Sequence, residues 1–171
     1  MLSNAPVVHR SGIVVSHEYA GVMRELIVAM KYASARWVVP MLADVWVMRH
    51  AQVCEADVVT WVPTTPRRMR ERGYDQSELI ARRVARRLRV PCVGLLRRLD
   101  DHAQTGRTAS ERRTGARFVA RRSRYDRVLV IDDVVTTGAT LQHSLDALRA
   151  STARTVTCAA IAATPAPEVR R

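Results

Sequence analysis

Val128-Leu129-Val130-Ile131-Asp132-Asp133-Val134-Val135-Thr136-Thr137-Gly138-Ala139-Thr140-Leu141 decides how the rest of the chain is read. Four successive branched apolar residues, Val128 to Ile131, show no period-two alternation. This predicts a strand covered on both faces, as in the middle of a parallel sheet. In open α/β sheets ligands sit beyond the carboxyl ends of the strands, and Asp132 and Asp133 stand at that end. Adjacent carboxylates are costly to bury unless paired or solvated. The vicinal hydroxyls of a ribose, each a donor, match their acceptors directly.

The loop that follows has the opposite character. Thr136, Thr137 and Thr140 offer hydroxyl donors, and Gly138 lets the backbone come close to a ligand. A helix predicted from Thr140 to Arg149 adds the partial positive charge of its amino terminus, so a phosphate would be held by amides, hydroxyls and dipole together. Acids for a sugar and donors for its 5'-phosphate thus lie a few residues apart. The bland alternative is an ordinary strand-to-helix turn with Asp and Thr as turn formers. A Walker-type nucleotide loop is excluded, because no Gly-Lys-Thr or Gly-Lys-Ser occurs and the one lysine of the chain is Lys31.

At 171 residues the chain has the length of one domain with a substantial core. No basic-then-apolar leader opens it, and the longest apolar run, Trp37 to Met48, is broken by Pro40 and Asp44. Neither a secretory signal nor membrane insertion is indicated, and a cytoplasmic location is expected. Cys54, Cys92 and Cys158 are far apart and read as reduced thiols rather than a disulfide or zinc framework. The net charge of +12, concentrated between Arg67 and Arg127, calls for anionic partners without choosing among pyrophosphates, nucleic acid and acidic proteins. A single phenylalanine and a few scattered Tyr and Trp argue against a base-stacking single-strand binder.

In chain order, Ile13-Val14-Val15 is expected as a short strand in a peripheral subdomain. Apolar residues at helical spacing predict helices from about Ala20 to Tyr32 and from Arg36 to His50. Lys31, at the end of the first, reads more readily as a cation at a helix carboxyl terminus than as a substrate contact. Val58 to Val62 is the next core strand. It leads into Pro63-Thr64-Thr65-Pro66-Arg67-Arg68, a turn whose arginine forks suit the oxygens of a pyrophosphate leaving group. Asp75-Gln76-Ser77-Glu78 has the form of a capping box opening a helix to about Arg89, with Leu79, Ile80, Val84 and Leu88 buried and Arg82, Arg86 and Arg89 solvated. Val93 to Leu96 is read as a short strand. From Arg97 to about Arg117 the pattern disappears into a polar, glycine-hinged segment of the kind that forms lids or binding loops. Thr155 to Ala163 supplies a last strand, completing a strand-loop-helix-strand crossover, and the tail from Thr164 is expected to fray.

The stretch around Asp132 and Asp133 resembles the 5-phosphoribosyl-1-pyrophosphate (PRPP) signature of type I phosphoribosyltransferases. More narrowly, the chain resembles the ComF family, phosphoribosyltransferase-like proteins linked with competence and DNA uptake. The residues that carry this are, in order, Lys31-Tyr32, Val62-Pro63 with Pro66-Arg67-Arg68, Arg70 to Gln76, Gln104, Arg112, Phe118 and the signature, spanning about residues 18 to 163. The chain lacks the cysteine-rich zinc ribbon with which such chains often begin, and Asp75 stands where asparagine is frequent.

The resemblance implies an α/β type I phosphoribosyltransferase fold: a central, mostly parallel sheet flanked by helices, with a small N-terminal hood. The domain would span 1–163, with the hood at about 1–50, the core at about 51–163 and a disordered tail at 164–171. It also implies pyrophosphate displacement from PRPP by a nitrogenous acceptor. Asp132 and Asp133 would orient the ribose; Thr136, Thr137, Gly138, Ala139 and Thr140 would hold the 5'-phosphate; Thr64, Thr65, Arg67 and Arg68 would serve the pyrophosphate. Arg107 would be the cation at the centre of a lid from Gln104 to Thr108. Mg2+ would come with PRPP, held largely by substrate oxygens and touching Asp132 and Asp133. Homodimerisation and DNA-uptake or other nucleic-acid-linked partners fall within the same expectation. Two other readings stay open: a non-catalytic PRPP- or nucleotide-binding module associated with competence, and a basic nucleic-acid binder.

Overall fold

The computed structural model describes residues 7–8, 12–33, 35–52, 54–99, 116–151 and 153–165. The expected lid, with His102, Gln104, Arg107, Thr108 and Arg112, lies outside the described residues, as do residues 166–171 of the tail.

Nine residues, Arg127–Val135, form β6, an inner strand of the sheet. On one side it pairs in parallel with β7, Thr155–Ala163, and on the other with β3, Val58–Trp61. Beyond β7 lies β2, Val14–Glu18, also parallel, and then the two-residue β1, Val7–Val8, antiparallel. The order among the described residues is β1-β2-β7-β6-β3. The expectation for Val14 and Val15 is thereby corrected: their strand belongs to the central sheet. Its continuation through Ser16, His17 and Glu18 is polar, which hid its length from a reading based on apolar runs.

Both faces of the sheet are covered, as the unbroken apolar run at Val128 to Ile131 requires. Leu129 and Ile131 share a core with helices α1, Gly21–Tyr32, α2, Val38–His50, and α4, Gln76–Leu88, through Ile27, Leu42, Trp46, Ile80 and Val84. Val128 and Val130 face the opposite way, toward Leu141 and Leu148 of α5, Ala139–Ser151. Small residues at Ala159, Ala160 and Ala162 let β7 be buried from Cys158 to Ala163 without bulk between the sheet and its helices.

Two local expectations change. The arginine-rich turn after β3 contains a short helix, α3, Pro66–Arg72, with Thr65 as its N-cap and Pro66 in its first turn. Gly73 ends it with a left-handed φ of 75°. Strand pairing after α4 begins three residues later than expected. Residues 91–93 touch β3 through one bridge at Cys92, and β4, Leu96–Arg98, pairs instead with β5, Phe118–Ala120, in a separate antiparallel pair. Gly94 lies where an added Cβ would come within 3.1 Å of the Trp61 ring, so the chain there is shaped by that aromatic rather than by a ladder.

Leu129, fully buried between α4 and α2, sets the expected scale of the core. Leu129→Ala should lose about 2–5 kcal/mol in urea unfolding, whereas Val22→Ala, at a side chain 70% exposed, should stay within about 0.5 kcal/mol of the unaltered chain.

Candidate phosphoribosyl site

At the carboxyl end of β6 a cleft of about 340 Å³ opens between three structural units. Its floor is the strand end itself, with Asp132, Asp133 and Val134, and Thr136 and Thr140 follow from the next loop. Gly138 in that loop has a φ of 82°, a left-handed conformation that a side chain would strain. It turns the chain directly into α5, where its carbonyl accepts the first helical bond, from Gln142 N–H at 2.9 Å.

A second wall descends from the loop after β3, with Val62, Pro63 and Thr64, and from α3 and β4, which contribute Arg68, Arg72 and Arg98. Arg98 donates to the Pro63 carbonyl at 3.2 Å and lies over the Phe118 ring at 5.4 Å. Arg72 lies 5.0 Å above the Tyr32 ring and donates to its hydroxyl at 3.3 Å. Both guanidiniums are thus braced by aromatic faces from other elements. The third wall is Tyr19, just before α1, and Lys31 in its last turn, with Gln76 and Ser77 at the start of α4.

One carboxylate ties the second wall to α4. Asp75 Oδ1 caps the helix, accepting the N–H groups of Ser77 at 3.0 Å and Glu78 at 3.2 Å. Its Oδ2 accepts Thr64 N–H at 2.8 Å, fixing the loop that enters α3. Burial nevertheless dominates over these three donors and holds the Asp75 carboxyl above the ordinary range.

Fixed in this way, Ser77 donates its hydroxyl to Asp132 Oδ1 at 2.9 Å, and the same oxygen accepts Asp133 N–H at 2.8 Å. Lys31 Nζ stands 2.9 Å from Asp133 Oδ2. Burial, and then the neighbouring Asp133 charge, push the Asp132 carboxyl up to about 7. The pair therefore combines an aspartate neutralised by lysine with one whose charge is costly where it is buried.

Of the residues expected in the site, Asp132, Asp133, Thr136, Thr140, Thr64 and Arg68 meet in this cleft. Thr137 and Gly138 complete the loop between Thr136 and α5, which Ala139 opens. Thr65 and Arg67 line an adjoining hollow shared with Arg68, Arg72 and Arg98. Arg67 is 81% exposed and paired with Glu71 at 2.7 Å, one helical turn on, so it stands outside the cleft where it was expected over a leaving group. Arg72, Arg98, Ser77 and Tyr19 were not expected there, and Lys31 is a cleft residue rather than only a helix-terminal cation. The lone lysine in an arginine-rich chain was the signal that could have found it.

The position of Asp132 has a measurable consequence. Between the ordinary value of 3.8 and about 7 the folded chain keeps a proton that the unfolded chain has lost. Stability therefore falls as pH rises through that window. Asp132→Asn removes the penalty, so the variant should melt several degrees above the unaltered chain at pH 8, at about 2–4 °C per kcal/mol. The two curves should converge near pH 4. A variant that melts lower at pH 8 would contradict the burial argument.

Known proteins can now be set beside this geometry. The phosphoribosyl transferase domain family matches residues 75–171, from the cap of α4 through the acid pair to the end of the chain. Adenine phosphoribosyltransferase from Leishmania donovani is 16% identical with a TM-score of 0.51, over 88% of this chain and 71% of that one, a likeness of fold. A B. subtilis glutamine PRPP amidotransferase, in a structure with ADP and GMP, is 26% identical with a TM-score of 0.47, over 73% of this chain and 25% of that one. An allosteric regulatory enzyme of purine biosynthesis is 22% identical with a TM-score of 0.49, over 75% and 25%. This chain spans about a quarter of the length of each of those two. No curated protein matches it. The sheet flanked by helices is that of type I phosphoribosyltransferases, and with the family match extending over more than half of its residues the chain belongs to the phosphoribosyl transferase domain family.

Proposed function

We propose that this chain binds PRPP with magnesium and transfers the phosphoribosyl group to a nitrogenous acceptor, releasing pyrophosphate. The observation that carries the reading is the meeting of an acid pair and three arginines in one cleft at the end of a parallel strand. Asp132 and Asp133 accept from the ribose hydroxyls. The Thr136–Thr140 loop and the start of α5 take the 5'-phosphate with hydroxyls and amides. Arg68, Arg72 and Arg98 face the pyrophosphate and stabilise the charge that develops on it as the glycosidic bond breaks. Binding energy gathered at both phosphate ends holds the anomeric carbon in place for the acceptor nitrogen. Arg67 in the adjoining hollow and Arg107 of the expected lid are assigned to the same leaving group.

The donor set suits a hard divalent ion brought in by the substrate. Two carboxylates adjoin, yet among the described residues no three His, Cys, Asp or Glu side chains gather as a metal-binding group. Magnesium would then be held mainly by phosphate and ribose oxygens, with Asp132 and Asp133 at its edge, and would supply charge neutralisation on the leaving group. The order of Lys31-Tyr32, the Pro66-Arg67-Arg68 turn and the signature supports a ComF-like branch of the family, acting in the cytoplasm with a DNA-uptake partner. Among the described residues no helix is long and apolar enough to cross a membrane.

Calorimetric titration of PRPP with magnesium tests the reading. The unaltered protein should bind with an affinity on the order of micromolar, and Asp132→Asn/Asp133→Asn should weaken it at least about a hundredfold. Arg98→Ala should weaken pyrophosphate binding more than ribose 5-phosphate binding. A folded, unaltered protein that takes up no PRPP would sink the proposal.

A further inference from the structure

Of 28 lysines and arginines in the chain, one is a lysine, and that one stands against the acid pair. Lys31 ends α1 with its side chain 17% exposed, and its ammonium reaches Asp133 Oδ2 at 2.9 Å. The other cations lining the cleft, Arg68, Arg72 and Arg98, are all guanidiniums. Elsewhere the chain uses arginine to hold aspartates. Arg83 grips both oxygens of Asp44, at 2.9 and 2.6 Å, whereas Arg127 sets Nε and a terminal nitrogen on one oxygen of Asp57, at 3.1 and 2.7 Å, and its backbone N–H takes the other at 2.9 Å.

The difference between the two cations is geometric. A guanidinium presents parallel N–H groups in a fork that can occupy both oxygens of a carboxylate, whereas an ammonium is a point charge that satisfies one. At Asp44 and Asp57 a closed carboxylate does no harm, because each serves only to join elements. At Asp133 it would leave no oxygen for an incoming sugar hydroxyl. The ammonium of Lys31 makes its closest approach at Oδ2 and offsets the repulsion between Asp133 and Asp132, whose Oδ1 already accepts from Ser77 and from Asp133 N–H.

We propose that Lys31 is a positioning residue of the ribose site. It is a one-point partner that neutralises Asp133 while keeping one of its carboxylate oxygens open to a sugar hydroxyl, a role that a guanidinium forked across both oxygens, as Arg83 is at Asp44, would not fill. The inference rests on the phosphoribosyl reading above and adds to it a requirement for the shape of the cation. An ion pair that merely fastened α1 to β6 would be served as well by arginine, and the charge-conserving substitution separates the two roles.

The test compares the unaltered protein with Lys31→Arg and Lys31→Met, titrating each with magnesium PRPP, ribose 5-phosphate and 2-deoxyribose 5-phosphate and melting each without ligand. The unaltered protein should prefer ribose 5-phosphate over its deoxy analogue by about tenfold, the value of a hydrogen bond to a charged group. Lys31→Arg should melt within about 2–4 °C of it, bind magnesium PRPP about tenfold more weakly or worse, and lose the preference for the hydroxyl. Lys31→Met opens both oxygens but removes the neutralising charge, so it should keep the preference while losing affinity for every phosphate ligand. Unaltered affinity and preference in Lys31→Arg, or unaltered affinity in Lys31→Met, would overturn the inference alone. No PRPP binding by any of the three proteins would overturn the phosphoribosyl reading and this inference with it.

Discussion

Two carboxylates on successive residues, sunk into a cleft at the end of a strand, repel each other and resist the loss of water. Much of the architecture around β6 offsets that pair of penalties. Ser77 and the Asp133 amide donate to Asp132, and Lys31 sets a positive charge against Asp133. Each of these partners comes from an element that must itself be held. Ser77 is placed because Asp75 caps α4, and the same Asp75 carboxylate fixes Thr64 and with it the approach to α3. The loop after β3, the start of α4, the end of β6 and the end of α1 are therefore joined through three carboxylates, and α3 brings Arg68 and Arg72 into the cleft on the same scaffold.

The strongly basic composition acquires a local meaning from this arrangement. Many of the arginines are committed to carboxylates on the helices or the sheet edge: Arg83 and Arg87 to Asp44, Arg82 to Glu78, and Arg127 to Glu55 and Asp57. Such exposed pairs add little to stability. In the cleft, Arg72 is braced on the Tyr32 ring, and Arg98 lies over the Phe118 ring and donates to the Pro63 carbonyl. The net charge of +12 then acts at longer range, drawing polyanions toward a cleft whose wall is already positive.

What could be read from the sequence was whatever is encoded within a few residues. The run Val128 to Ile131, the acids after it, the hydroxyl-rich turn and the capping residues of α4 each carry their meaning locally, and β6, β7, α5 and the Asp75 cap lie close to where the pattern put them. The floor of the cleft was legible for the same reason. Its other walls were not, because Arg72, Arg98, Ser77 and Tyr19 come from four separate elements and meet only through the sheet order. Arg67 and Arg68 show the limit of spacing alone. They are neighbours in sequence, yet on a helix they point about 100° apart, so one lines the cleft while the other pairs with Glu71 on the exposed side. The strand at Val14 was placed at the periphery because Ser16 and His17 interrupt its apolar character, although parallel pairing with β7 depends on backbone groups that no side chain announces.

The balance within the acid pair also explains why the cleft is built from so many unlike parts. Burial strengthens a carboxylate as an acceptor for a sugar hydroxyl, since there is less water to compete, but it also raises the carboxyl's hold on its proton, as at Asp132. A fully neutralised pair would be stable and useless, with every oxygen occupied. A bare pair would take up a proton and turn one acceptor oxygen into a donor. Asymmetry resolves the conflict: Asp133 is paired with one ammonium, while Asp132 is held by two neutral donors on a single oxygen. On the proposed reading, a ligand that brings both hydroxyl donors and a divalent cation would complete this balance, and the free energy so recovered would become selectivity for a phosphorylated sugar over a plain anion, which could satisfy the arginines but not the acids.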